Sequence, residues 1–380
     1  MDWTNRVRWI AHEFSGMNTR VPTVVGTAVL ALTLLSRPAA AHVDYVTDGP
    51  GEALDAVAFA ISVLSNPLNA AVFGISGLAV TGGLAAYLWV RPTIADIVIL
   101  RDVLVGYSDL VPWMLRLSVG LPLVGAGFQG YLFAPTVTFD PTTNPLVRAL
   151  FIGLGFTLLF GLATRIVTTI GLVTYGWALT IDPGAVLAME YVPAFLALLI
   201  LGGGRPSADH MLQQVASTDG TYYGRIDPVH HLKRFLDATT ASYREYVPVI
   251  VRVGMGVTFI YLGLFQKLAE PGQALLVVEK YDLTAVVPVD AGMWVLGAGL
   301  TEMLVGLVLI FGFMTRGAAA VSFVLFTTTL FGLPDDPVLA HITLFGMASA
   351  VFTMGAGPLS FDDWFGRPAQ SDRETVASAD

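Results

Sequence analysis

The stretch Val247-Pro248-Val249-Ile250-Val251-Arg252 decides the fold, because the chain writes it twice. The earlier copy is Val111-Pro112-Trp113-Met114-Leu115-Arg116, and the two align without a gap as far as Pro135 and Pro271. In each copy the Arg is followed by Gly (Gly120, Gly256), a second Gly (Gly127, Gly263), then Leu (Leu132, Leu268) and Pro. Downstream, Phe160-Gly161-Leu162-Ala163-Thr164-Arg165 answers Phe311-Gly312-Phe313-Met314-Thr315-Arg316. The segments Gly202 to Asp209 and Gly355 to Asp362 then share the spacing G-x-G-x-x-S-x-D. Three motifs in one order at similar spacing point to a tandem repeat of one small unit, with any site built per unit or between units.

The unit belongs in a membrane. Apolar residues make up 54% of the chain and charged residues 13%. Hydrophobic stretches with few charges recur near 66–90, 111–133, 147–164, 166–181, 185–202, 247–268, 292–313, 316–333 and 337–356. Most approach the ~20 residues that a helix needs to cross a hydrocarbon core. The expected fold is therefore all-α and polytopic: two parallel four-helix transmembrane bundles plus one or two N-terminal helices. With Arg6, Arg8 and Arg20 taken as cytoplasmic, the same side collects Arg91, Arg101, Arg165, Arg205, Arg225, Lys233, Arg234, Arg244, Arg316, Arg367 and Arg373. The other side collects Arg37, Arg148, Lys267 and Lys280. This positive-inside bias predicts a multi-pass protein of the cell membrane with a cytoplasmic C-terminus.

Residues 1–41 read as a signal peptide or a signal anchor. Arg20 precedes an apolar run at 21–36, and Ala39-x-Ala41 fits a small-residue cleavage site that would leave His42 first. Residues 42–92 hold an acidic outer segment (Asp44, Asp48, Glu52, Asp55) and an extra transmembrane helix rich in Gly74, Gly77, Gly82 and Gly83, expected to pack against the repeats. The first repeat spans 93–226 and the second 227–366, with a polar tail at 367–380. Amphipathic stretches at 94–110 and 230–246 are expected to lie along the cytoplasmic interface. The G-x-G-x-x-S-x-D segments follow membrane spans rather than strands, so they are not dinucleotide fingerprints. They read as helix stops at Gly355 and Gly357, after which Ser360 or Asp362 caps a short interfacial helix.

Composition excludes several chemistries. With no cysteine there are no disulfides, thiol catalysis, iron–sulfur clusters or zinc–thiolate sites. No metal-ligating pattern is present, and no basic patch with interleaved aromatics suggests nucleic acid. The net charge is −9, and only Lys233, Lys267 and Lys280 are lysine, which suggests either a salt-adapted or GC-rich source or ordinary solvated loops.

Ionisable residues inside spans are the functional suspects, because burying one costs several kcal/mol unless it is paired. In the second repeat these are Arg252, Lys267, Glu302 and His341, with Gln266 beside Lys267. Arg252 is expected to reach Glu302, forming either a structural pair that fixes helix register or a polar pocket for a quinone headgroup or proton relay. His341 is either a satisfied interhelical hydrogen-bonder or a member of that site. In the first repeat Tyr131 stands at the position of Lys267, Phe151 at that of Glu302 and Ala188 at that of His341, with Glu190 close by. The first repeat is therefore expected to keep the architecture and drop the polar centre.

The second repeat resembles the DoxX family of small four-helix membrane proteins. The resemblance is carried by Arg252-x-x-x-Gly256, Gly263, Gln266-Lys267-Leu268, Glu302-x-x-x-Gly306, Gly312-x-x-Thr315-Arg316, His341 and Gly355-x-Gly357-x-x-Ser360-x-Asp362. The first repeat resembles a degenerate copy. The resemblance implies a four-helix bundle and an association, in some members, with membrane oxidoreductases that use quinone. Three readings follow. One is the quinone-interacting membrane subunit of an oxidoreductase, with Gln266, Lys267 and Glu302 at the quinone and no built-in cofactor. The second is a non-catalytic scaffold that docks a redox partner, and the third is a small-solute or ion transporter. Whether the chain is an enzyme at all stays open at this level.

Overall fold

The computed structural model describes residue 46 and residues 52–90, 94–226 and 236–366. The cleavage motif and signal-length run of 1–41, residues 42–45 and 47–51 of the acidic segment, residues 230–235 of the second amphipathic stretch and the tail 367–380 lie outside the described residues.

Helices dominate the described residues. Leaving aside short turns of helix, they are in chain order α1 (Ala56–Ser65), α2 (Pro67–Val90), α3 (Ala95–Val105), α4 (Val111–Gln129), α5 (Pro145–Phe160), α6 (Thr164–Ile181), α7 (Tyr191–Leu201) and α8 (Ala208–Ala216). After them come α9 (Val247–Gly263), α10 (Pro271–Lys280), α11 (Ala291–Phe311), α12 (Thr315–Gly332), α13 (Val338–Met354) and α14 (Phe361–Gly366). Start and stop signals explain the boundaries. Pro sits in the first turn of α4, α5 and α9, where a missing N–H costs nothing. Left-handed glycines end α4 (Gly130), α5 (Gly161) and α11 (Gly312).

Four helical segments are long and apolar enough to cross a membrane: Pro67–Val90, Ser108–Gln129, Leu236–Leu268 and Ala291–Phe311. Pro145–Phe160, Tyr191–Leu201 and Val338–Met354 are apolar but shorter. The chain is a multi-pass membrane protein, and its outward faces are apolar, as at Leu300, Leu304 and Leu307 along α11. The stretch expected to span 185–202 divides instead into a 3-10 turn at Pro183–Ala188 and the short α7.

Helix packing follows the small residues. α4 crosses α5 where a Cβ on Gly120 would lie 2.9 Å from the Gly155 carbonyl, and α9 crosses α11 where one on Gly256 would lie 2.6 Å from the Gly306 carbonyl. Only glycine lets backbones approach this closely, which is how helices gain contact in lipid. The two sets of helices also interlock: α4 packs on α13, and α7 packs on α9. At these contacts Ser118 meets Gly346, with Thr343 donating to the Ser118 carbonyl at 3.0 Å, and Gly254 meets Pro193.

Two features depart from expectation. Tyr131–Leu132 and Ala134–Thr138 form a small antiparallel hairpin inside the first set, so the span expected over 111–133 stops short, at Gln129. The glycines of α2 do not pack against the repeat helices: a Cβ on Gly74, Gly77, Gly82 or Gly83 would meet nothing within 4 Å. α2 is exposed along its length, and its one buried residue, Asn69, donates to the Val63 carbonyl at 3.1 Å.

Candidate functional site

The duplicated motifs gather at one end of each helix set and form a clasp. In the second set Arg252 is almost fully buried. Its Nε donates to Ala356 O at 2.9 Å, Nη1 to Leu309 O at 2.9 Å and to Ile310 O, and Nη2 to Leu359 O at 2.6 Å. These carbonyls lie at the C-terminus of α11 and just beyond that of α13, where helix geometry leaves acceptors without partners and a cation is favoured. A guanidinium, with five donors in a fixed fork, satisfies several at once. Gly312 permits this both by its left-handed φ of 64° and by lacking a Cβ, which would stand 2.9 Å from the Arg252 Cζ. Asp362 accepts from the Met314 and Thr315 backbone N–H groups at 2.7 and 2.8 Å, capping α12, and Arg316 donates to Phe352 O and Thr353 O. Ser360 caps α14 by accepting from Asp363 N at 3.0 Å.

The first set repeats the clasp. Arg116 donates to Leu158 O, Leu159 O and Pro206 O. Asp209 accepts from Ala163 N and Thr164 N, Arg165 donates to Leu199 O and Ile200 O, and Ser207 accepts from His210 N. The residues that recur most faithfully therefore hold helix ends together. This corrects the expected Arg252–Glu302 pair. The Arg252 guanidinium sits at Leu309, and Glu302 lies seven residues back along α11, about 10 Å away at 1.5 Å per residue.

Glu302 pairs instead with Lys267, at the opposite end of α9. The Lys267 Nζ lies 2.9 Å from Oε1 and 2.7 Å from Oε2. A local change of helix type helps place it. At Leu264–Leu268 the chain widens into a π turn, closed by Ala269 N donating to Leu264 O at 2.8 Å. Such bulges are rare and concentrate at functional sites. The turn carries both Gln266, which is buried, and Lys267. Close approach brings the partner helix in, since a Cβ on Gly263 would lie 2.6 Å from Gly299 O and 3.1 Å from the Glu302 Cβ. The side chains of Lys267 and Glu302 stay 23% and 20% exposed, so the pair is reachable from outside the protein.

His341 lies close enough to feel both charges of that pair. It is buried, with Nε2 3.4 Å from Asp336 Oδ2 and Nδ1 3.4 Å from the Pro337 carbonyl, and the Phe326 ring stands edge-on to it. Asp336 is not among the residues that the sequence singles out, because it lies just outside the span 337–356. Its one signal is its place, a single residue before Pro337 and little more than a helical turn from His341. It sits in the turn between α12 and α13, buried, and burial pushes its carboxyl up to about 7 against the opposing pull of Lys267. Because the folded value exceeds that of the unfolded chain, this group's contribution to stability is present at low pH and is lost as pH rises through about 7.

The corresponding place in the first set is filled. The hairpin drives Phe133 inward at a left-handed φ of 59°. Its ring packs edge-on against Phe151, Tyr175 and Tyr191 with centroids 5.0 to 5.2 Å apart. Phe151 holds the position of Glu302, so an aromatic cluster stands where the second set keeps its ion pair. Polar atoms have not vanished there, however: Glu190 and Tyr131 are buried, and among the described residues Glu190 Oε2 and the Tyr131 hydroxyl have no hydrogen-bond partner.

No curated protein and no solved structure matches the chain. A protein-family comparison does find a match, which takes in α9 to α12 and so includes Arg252, Lys267 and Glu302 but stops short of Asp336 and His341. Residues 247–334 match the model of the DoxX family, so within this multi-pass membrane protein that segment is similar to a DoxX domain.

Proposed function

We propose that the protein is the quinone-interacting membrane subunit of an oxidoreductase, with the Lys267–Glu302 pair at the headgroup. The observation that carries this reading is the pair itself: a lysine and a carboxylate, partly open to the outside, placed with a π turn within otherwise apolar helices. A quinone diffusing in lipid offers carbonyl oxygens that the Lys267 ammonium can bind, and Glu302 can hold a proton beside them. The chain supplies no cysteine, so the electron donor is a partner protein or a soluble substrate. The test is the quinone content of purified protein. Wild type should carry quinone well above the lipid background, and the double change Lys267→Met with Glu302→Met should lower retention at least about tenfold, the equivalent of ~1.4 kcal/mol. The double change avoids stranding one charge. Quinone at background in wild type, or unchanged in the double variant, would reject the reading.

The second reading is a scaffold that docks a redox partner. It is favoured by the recurrence of the clasp residues, which are structural, and by the exposed apolar surface of α3 at Ile97, Val98, Ile99 and Leu100.

Two further elements belong to the proposal. The matched hydrogen bonds of Arg116 and Arg252, Arg165 and Arg316, and Asp209 and Asp362 support a tandem duplication of a four-helix unit whose first copy is degenerate, both copies running in the same direction. The arginine bias supports a cell-membrane protein with the connector 203–246 and the C-terminus cytoplasmic. A single cysteine at Thr218, an exposed residue in a chain with no cysteine of its own, should be unreactive toward an impermeant thiol reagent outside whole cells and should label after permeabilisation. Labelling of intact cells would invert the orientation.

A further inference from the structure

We propose that Asp336 and His341 share one exchangeable proton and act as the proton reservoir of the Lys267–Glu302 site, fed from the Lys280–Asp335 end of the protein. The role of the reservoir rests on the quinone reading; the shared proton does not.

The geometry points to a neutral pair rather than an ion pair. The His341 Nδ1 faces the Pro337 carbonyl, which can only accept, so Nδ1 carries a proton and, in the neutral imidazole, Nε2 is the acceptor. The atom opposite Nε2 is Asp336 Oδ2, and a carboxyl oxygen can fill that lone pair only by carrying a proton. The other oxygen of Asp336 agrees with this. Oδ1 is buried and has no hydrogen-bond partner among the described residues. An ionised carboxylate left half unsatisfied in the interior is costly, whereas the carbonyl-like oxygen of a protonated carboxyl is tolerated.

The charged surroundings make that proton movable. Lys267 on the π turn draws Asp336 toward ionisation, and Lys267 and Glu302 act on His341 with opposite signs. Neutralising Glu302, or occupying Lys267 with a ligand oxygen, changes the field on the pair. On the outer side, Asp335 is exposed and takes Lys280 Nζ and the Tyr281 hydroxyl, each at 3.0 Å, while Lys280 also donates to Val46 O at 2.7 Å. Residues adjacent in sequence thus place one carboxylate at the surface, that of Asp335, and one in the interior, that of Asp336. A base beside the ion pair can draw on water through two residues with no path through the membrane core.

The test needs neither quinone nor a partner. In the full-length protein, with aspartate carboxyls labelled with carbon-13, infrared spectra taken across about pH 5 to 9 should show one labelled carboxyl band disappearing with a midpoint near neutrality. Exposed aspartates titrate well below this range, and Asp335 is held lower still by its bonds to Lys280 and Tyr281. The band should be absent in Asp336→Asn, and His341→Gln should move its midpoint by about one pH unit or more. Because this measurement is made on unmutated protein first, it stands even if Asp336→Asn does not fold. A wild-type spectrum with no aspartate carboxyl titrating near neutrality overturns the proposal, as does a band that survives Asp336→Asn in folded protein. With the titration present and quinone absent from wild type, the shared proton stands and the quinone reading falls.

Discussion

Arg252→Met should lower the unfolding free energy by at least about 4 kcal/mol, read as the shift in thermal or denaturant unfolding of the protein in nanodiscs. Methionine fills much of the volume but leaves the carbonyls of Leu309, Ile310, Ala356 and Leu359 without the guanidinium, the Leu309 and Ala356 contacts being buried. The same measurement discriminates the clasp from an Arg252–Glu302 pair. Glu302→Gln should leave the Arg252 network intact, so the two changes combined should add to within about 0.5 kcal/mol. A coupling energy of 2 kcal/mol or so between them would show that the side chains meet, and would refute the clasp as the role of Arg252.

Phe133→Ala should cost about 3–5 kcal/mol, because its ring is enclosed by three others and the hairpin cannot collapse onto the space left behind. Phe151→Ala removes one wall of the same cluster and should be comparably damaging. Neither change should alter anything measured at Lys267 and Glu302, which lie in the other helix set. If Phe133→Ala unfolds at the wild-type temperature, the hairpin is not the plug it is taken to be.

The helices and their ends were legible because they rest on local rules: apolar runs, Pro in first turns, Gly at stops. The three repeated motifs were legible as a pattern, but not as a clasp. In one dimension Arg252 is a lone charge in a span, and its partners are carbonyls, which every residue type carries and no sequence reveals. Lys267, Glu302 and His341 were found because charge is conspicuous against apolar surroundings, yet the choice of partner failed. The sequence points to Arg252, whereas the nearer cation to Glu302 is set by the crossing at Gly263 and Gly299 and by a π turn. That turn depends on tertiary packing and has no composition signal. The hairpin is a similar case: Gly130 marks a stop, but nothing local says that Phe133 turns inward. Asp336 carries no mark of its own: it and Asp335 look alike between Pro334 and Pro337, and only the fold exposes the one and buries the other.

The interlock of α4 with α13 and of α7 with α9 has a consequence for how the protein is made. Synthesis releases α4 to α7 well before α9 and α13 exist. During that interval the surfaces around Ser118 and Pro193, which the finished protein covers with Gly346 and Gly254, face lipid or an insertion factor. The last long helix to emerge, α13, lands on α4, the first helix of the other set, so the ribosome must finish nearly the whole chain before the early half reaches its final shape. Quality control of this protein thus falls at the end of translation, and a nascent chain stalled in the connector presents a half-built surface that proteases can recognise.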